Sequence, residues 1–255
     1  SNIPLAIINA RITSKSFKRW MFFSSFSKKI FNCFDLCLAS NTETKNYLSK
    51  LNAKNIFYTG NIKLIKDNTA TNNYSAENRN PIREKFWLAA STHKGEEQFC
   101  LKVQSEIKKK YKNVKLILAP RHIDRTVQIA KLCEKMNFSY QIINKNEHIL
   151  YDKEIFLINF FGELPRFFKF AKSVFIGKSL LKKFEKVGGQ NPIDAARVGC
   201  NIYHGPYVYN FEEIYKILNE NNISKKILTV EELSKEIIDD FKDLKKDIDK
   251  FSPLL

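Results

Sequence analysis

Phe86-Trp87-Leu88-Ala89-Ala90-Ser91-Thr92-His93-Lys94-Gly95-Glu96-Glu97 is an unbroken apolar run followed by small hydroxyl residues, a glycine and two acids. The run has the length of a buried strand, and the residues after it have the composition of a helix N-terminus, whose free amides suit a phosphate. Plain helix capping explains the same residues; His93 and Lys94 tilt the reading of Ser91, Thr92 and His93 towards an anion site.

The alternation repeats down the chain. Further strands are expected at Val114–Ala119, Tyr140–Ile143, Ile155–Ile158, Val174–Ile176 and Asn201–Tyr203. Helical spacing fills most of the gaps, over Glu96–Tyr111, Arg125–Met136, Glu163–Ala171, Pro192–Val198 and Phe211–Asn219. Such a series implies an open parallel sheet with helices on both faces, and ligands at the carboxyl ends of the strands. A smaller series precedes it, with apolar runs at Leu5–Ile8, Leu36–Ala39 and Ile56–Tyr58 and helical spacing over Phe17–Phe31 and Thr42–Leu51. Residues 67–80 turn to Asn, Thr, Ser and Asp and mark a surface loop at a domain boundary.

Composition bounds the partners. The 255 residues carry a formal net charge of +16. That surplus concentrates anionic partners (nucleic acid, anionic lipid head groups or phosphorylated substrates) without choosing among them, and it also accompanies biased codon usage. The five cysteines, Cys33, Cys37, Cys100, Cys133 and Cys200, sit in apolar runs without metal-ligand spacing and are expected to be buried reduced thiols. No apolar run approaches the ~20 residues of a membrane span. The chain enters its first apolar run almost at once after Ser1, from which upstream sequence is expected.

Other strand-end loops carry candidate chemistry. Arg121 and His122 follow the strand at Val114–Ala119, placed to hold a phosphate or pyrophosphate. Gly162-Glu163-Leu164 follows Ile155–Ile158; alone it is an ordinary strand-to-helix turn. Val187-Gly188-Gly189-Gln190-Asn191-Pro192-Ile193-Asp194 is the densest feature: a glycine turn expected to offer bare amides, Asn191 as N-cap, Pro192 at the helix start, and Asp194 one turn in. Asp194 can bind ribose hydroxyls or simply complement the helix dipole. Between Phe17 and Phe34, Lys18, Arg19, Lys28 and Lys29 mingle with Trp20, Phe22, Phe23, Phe26 and Phe31. This segment is either a surface for anionic membrane or a helix packing its aromatics on the first sheet. The spacing of Phe22, Phe23 and Phe26 favours the second.

Read in order, these pieces resemble the Kdo (3-deoxy-D-manno-octulosonic acid) transferases. The matching residues are Asn9-Ala10-Arg11 with Ser16-Phe17, Gly60-Asn61-Ile62-Lys63, Ser91-Thr92-His93 with Gly95-Glu96-Glu97, and Pro120-Arg121-His122. They continue with Gly162-Glu163-Leu164, Val187-Gly188-Gly189 with Asn191-Pro192, and Gly205-Pro206 with Asn210-Phe211. The resemblance implies a GT-B α/β fold: a complete Rossmann-like carboxy-terminal domain plus the tail of a Rossmann-like amino-terminal domain. The expected divisions are 1–63 for the acceptor-domain remnant, 64–85 for the linker and 86–255 for the nucleotide-sugar domain.

The implied reaction moves Kdo from CMP-Kdo to a lipid A precursor in lipopolysaccharide core biosynthesis, at the cytoplasmic face of the bacterial inner membrane. No cofactor and no metal are implied, and an anchor is expected upstream. CMP binding falls to Arg121, His122, Gly162, Glu163, Leu164, Asn191, Pro192, Ile193 and Asp194, with Ser91, Thr92, His93, Gly188 and Gly189 as further candidates. Lys63 matches a transition-state stabiliser. The family has Glu where this chain has Asp194, and its general base lies upstream of Ser1, so the chain alone is expected to hold CMP without transferring sugar. Residues 178–186 are longer and more basic than the family pattern. The alternatives are a GT-B enzyme using a UDP-sugar and a basic nucleic-acid-binding module. The second lacks any nucleic-acid motif, so the expected partners are the CMP-Kdo donor, the lipid A precursor and an anionic membrane surface, with no nucleic acid.

Overall fold

A computed structural model describes residues 3–62, 85–145, 147–150, 152–162, 164–243 and 245. They form two compact units, one holding the first three strands and the other the remaining seven.

In the first unit β1 (Ala6–Ala10), β2 (Leu36–Ala39) and β3 (Ile56–Tyr58) pair in parallel in that order. The helices are α1 (Ser14–Phe22), α2 (Ser24–Phe31) and α3 (Thr42–Lys50). Thr13 caps α1 by accepting from the Ser16 amide at 3.2 Å, and Asn41 caps α3 by accepting from the Thr44 amide at 2.7 Å. Cys37, Ala39, Leu48, Leu51 and Phe31 form the core. Phe17 stacks on Tyr47 at 4.2 Å, and Trp20 meets Phe31 edge-on at 5.3 Å.

The expected single helix over Phe17–Phe31 is two, broken at Phe23, where φ is −108° and ψ 49°. The expectation that Phe22, Phe23 and Phe26 cover the sheet is also overturned: they are 81%, 64% and 63% exposed. Phe17, Trp20 and Phe31 do that packing instead. Cys33 likewise departs from the expected burial; it is exposed, while the other four cysteines are buried, and all five are free thiols.

The second unit is a seven-stranded, all-parallel sheet. Its strands are β4 (Phe86–Thr92), β5 (Lys115–Pro120), β6 (Tyr140–Ile143), β7 (Ile155–Ile158), β8 (Ser173–Ile176), β9 (Asn201–His204) and β10 (Ser224–Lys226). They lie in the order β10-β9-β8-β4-β5-β7-β6. The connecting helices are α4 (Glu96–Lys110), α5 (Thr126–Lys135), α6 (Leu164–Phe170), α7 (Ile193–Arg197), α8 (Glu212–Glu220) and α9 (Val230–Asp240).

Trp87, Ala89, Leu116, Leu118 and Phe175 enter one core with Leu101, Ile107, Ile129, Leu233 and Ile237 from α4, α5 and α9. Leu88, Ala90, Ile117, Phe156 and Ile176 point the other way and are just as buried, as a parallel sheet covered on both faces requires. On that side α6 contributes buried Phe167 and Phe168, and α7 contributes Ile193, Ala195 and Ala196.

Two elements lie beyond the expected set. Ser224-Lys225-Lys226 has no apolar residue, and β10 exists through its pairing with β9. Helix α9 is capped by Thr229, which accepts from the Glu232 amide at 3.2 Å, and buries Leu233 and Ile237. Near its end Asp240 accepts from Ser173 Oγ at 2.6 Å and Tyr203 OH at 2.8 Å, fixing it to β8 and β9. Burial pushes the Asp240 carboxyl above its ordinary range.

Gly205, just past β9, lies where a Cβ would come within 2.3 Å of Leu180 Cα and 2.3 Å of the Ser179 carbonyl oxygen. Both are main-chain atoms that cannot turn aside. Gly205→Ala is therefore expected to lower stability by about 1–3 kcal/mol. Urea unfolding of the variant at wild-type midpoint would contradict this.

Candidate functional site

The chain runs from β4 to one side of the sheet and returns to β8 on the other, so the strand order reverses between β4 and β8. In open α/β sheets the loops beyond such a reversal form the ligand crevice. Here they are residues 93–95 after β4, leading into α4, and 177–181 after β8.

Glu96 joins the two loops. It is fully buried in the first turn of α4. Its Oε1 accepts from the Ser179 amide at 2.9 Å and the Leu180 amide at 3.0 Å. Its Oε2 accepts from the Lys178 amide at 2.7 Å and the His93 amide at 2.9 Å. Burial raises the Glu96 carboxyl above its ordinary range, and the four amides act in the opposite direction. Glu97, also fully buried, binds Arg125 through both guanidinium NH groups, Nη1–Oε1 at 2.5 Å and Nη2–Oε2 at 3.2 Å. The pair ties α4 to the turn after β5. From the sequence these acids read only as residues of a helix start.

Basic groups line the crevice. The His93 and His122 rings, from adjacent loops, meet edge-on at 5.5 Å. Phe184 packs on His93 at 5.5 Å from the longer 178–186 segment. His93 Nδ1 lies 3.0 Å from the Ser91 carbonyl oxygen, which assigns the proton to that nitrogen. Burial lowers its pKa, and Lys178 and His122 lower it further by charge. Arg121 and His122 are exposed, and the Arg121 amide donates to the Thr92 carbonyl at 3.0 Å. The Thr92 hydroxyl is buried without a hydrogen-bond partner among the described residues.

The remaining candidates divide. The expected bare amides of the glycine turn are not bare: Gly188 donates to Phe184 O at 2.6 Å and Gly189 to Lys178 O at 2.7 Å. Glycine is required there for packing, since a Cβ on Gly188 would stand 2.1 Å from the Tyr207 carbonyl oxygen. Asn191 Oδ1 accepts from the Ile193 amide at 3.1 Å, and Pro192 directly precedes α7. The Ile193 side chain is fully buried, whereas Asp194 is exposed in the first turn. Gly162, at φ +97° with open space around it, and Leu164 follow β7, two strands from β4. Lys63 and Glu163 lie outside the described residues. Among the described residues no group of three or more His, Cys, Asp or Glu could hold a metal ion.

The second unit, a parallel α/β sheet with a crevice at the strand-order reversal, has the Rossmann-like fold of a GT-B domain, and the solved structure of the C-terminal CMP-Kdo binding domain of WaaA from Acinetobacter baumannii shares it. It superposes with a TM-score of 0.58 at 20% identity, over 64% of this chain and 82% of that one. By sequence the chain is a relative of the Kdo transferases. Residues 1–66 match the family described as 3-deoxy-D-manno-octulosonic-acid transferase. The 3-deoxy-D-manno-octulosonic acid transferase of Haemophilus influenzae is 30% identical over 232 residues, 86% of this chain and 52% of that protein. That of Rickettsia conorii is 29% identical over 232 residues, 90% of this chain and 49% of that protein. The chain thus spans about half the length of the curated relatives it matches.

Glu96→Gln keeps the volume but sets an NH₂ against two amide donors. It is expected to lower stability by about 2 kcal/mol or more. Urea unfolding checks this, and a wild-type midpoint would show that the loops do not depend on the carboxylate.

Proposed function

We propose that the chain acts in the transfer of Kdo from CMP-Kdo to a lipid A precursor in lipopolysaccharide core assembly, with the second unit holding the donor. The observation that carries this reading is the set of basic residues His93, His122 and Arg121 beside the strand-order reversal, in a chain whose relatives are named Kdo transferases. Breaking the bond between sugar and phosphate leaves CMP with an added negative charge, which nearby cations stabilise. Arg121 and His122 face the nucleotide phosphate in this reading. Gly162, Glu163 and Leu164 together with Asn191, Pro192, Ile193 and Asp194 take the rest of CMP, Ile193 through its main chain only. Lys63 offsets charge on the departing phosphate. Asp194 is one methylene shorter than the family's Glu and so reaches less far towards the ribose.

Arg121→Ala is expected to weaken CMP binding about tenfold or more, the worth of one charge-assisted hydrogen bond, with an unchanged melting temperature. Calorimetric titration with CMP checks it. Wild-type affinity in the variant would remove Arg121 from the site, and preference for a UDP-sugar over CMP-Kdo would replace the donor assignment.

The acceptor side is proposed to meet an anionic membrane through α1 and α2. Phe22, Phe23 and Phe26 are exposed among exposed Lys15, Lys18, Arg19, Lys28 and Lys29, a combination that suits an interface with acidic head groups. No helix among the described residues is long and apolar enough to cross a membrane. Co-sedimentation with phosphatidylglycerol vesicles is expected to fall about tenfold or more in Phe22→Ser/Phe26→Ser, through loss of buried apolar area. It is also expected to weaken with salt. Equal binding by variant and wild type, or none by either, would overturn the surface.

A further inference from the structure

Lys178 is the second residue past β8, and its φ of +57° places it in the left-handed region. Glycine is the usual occupant there, because any Cβ is strained. The main chain is held by bonds that any residue would make: the amide donates to Glu96 Oε2 at 2.7 Å, and the carbonyl accepts from the Gly189 amide at 2.7 Å. Glycine would therefore serve the fold better. Across the reversal, Ser91 near the end of β4 is also left-handed, at φ +55°. A strained non-glycine residue at a crevice points to a use for its side chain.

The half-buried Lys178 side chain lies where its charge is felt by His93, which is in turn in ring contact with His122. Among the described residues Lys178 makes no ion pair. Glu96, the carboxylate its amide binds, has both oxygens occupied by amides. A lysine held at the reversal without an ion-pair partner among the described residues, within reach of His93 by charge, has the chemistry to receive an anionic oxygen brought by a ligand.

We propose that Lys178 is a donor-recognition residue whose ammonium binds an anionic oxygen of the nucleotide sugar, on its phosphate or on its sugar carboxylate. The inference rests on the reading of the second unit as the CMP-Kdo site.

Lys178→Gly and Lys178→Met separate the side chain from the strain. Lys178→Gly is expected to melt above wild type, because the left-handed turn then costs less, whereas Lys178→Met keeps the strain and gains nothing. Both are titrated with cytidine, CMP and CMP-Kdo. Cytidine binding is expected to stay at its wild-type value. A loss of about tenfold or more for CMP in both variants assigns the ammonium to the phosphate; a loss confined to CMP-Kdo assigns it to the sugar carboxylate. CMP and CMP-Kdo affinities unchanged in both variants would overturn the proposal, leaving Lys178 as a strained structural residue. Wild-type protein that binds neither CMP nor CMP-Kdo would remove the donor-site reading itself, and the role of Lys178 with it.

Discussion

The buried carboxylate of Glu96 organises the crevice. Taking it out of water costs several kcal/mol, and four charge-assisted hydrogen bonds from main-chain amides offset that cost only while all four are in place. The bonds come from His93 after β4 and from Lys178, Ser179 and Leu180 after β8. One side chain therefore sets the spacing of the two loops at the strand-order reversal. Glu97 does the same towards β5 through Arg125. Two adjacent acids at one helix start thus fix three strand-end loops. They also occupy amides that a phosphate could have used, which leaves the side chains of His93, His122, Arg121 and Lys178 as the polar groups of the crevice.

Much of this fold is legible as periodicity. Unbroken apolar runs such as Phe86–Ala90 and Ile155–Ile158 are what a strand buried on both faces requires, and the structure places parallel strands there. Edge strand β10 has no such run, because pairing with β9 and polar contacts such as Ser224 Oγ to Asn219 hold it in place of apolar burial. Helix α9 was readable from Thr229, Leu233 and Ile237, a cap followed by apolar residues four apart. The two aromatic sets of α1 and α2 show where spacing misleads. On a wheel of about 3.6 residues per turn, Phe22 stands roughly 140° from Phe17 in α1 and Phe26 roughly 140° from Phe31 in α2, so neither can share the packed face. Both sets have helical spacing, but only the Phe17, Trp20 and Phe31 set can reach the sheet. Lys18 and Arg19 of α1 fall on the side of Phe22, and that charge marks the solvent face.

The candidate site was legible by position more than by detail. Strand-end loops can be located from the apolar runs, and that placement singles out His93 and His122 without showing that their rings meet. What each amide does could not be read. Gly188 and Gly189 suggested an open cradle, yet their amides are bonded to Phe184 and Lys178 carbonyls, and their lack of a side chain serves close packing against Tyr207 and Val208. A glycine pair reports that backbone approaches something; only three-dimensional contacts say whether that something is ligand or protein.

The same logic bears on the two strained residues. Left-handed Ser91 and Lys178 flank the contact between the β4 and β8 loops, where a Cβ on Gly177 would come within 2.6 Å of the Ser91 carbonyl oxygen. Strain of this kind persists only when surrounding bonds over-determine the backbone. Glu96 supplies that constraint for Lys178 directly, and it grips the Ser91 loop through the His93 amide. A carboxylate whose two oxygens are both held by main-chain amides therefore lets a lysine occupy a position that the backbone alone would give to glycine. Rigidity at the acid and strain at the lysine are two sides of one arrangement: loosening the first would let the second relax away from the crevice.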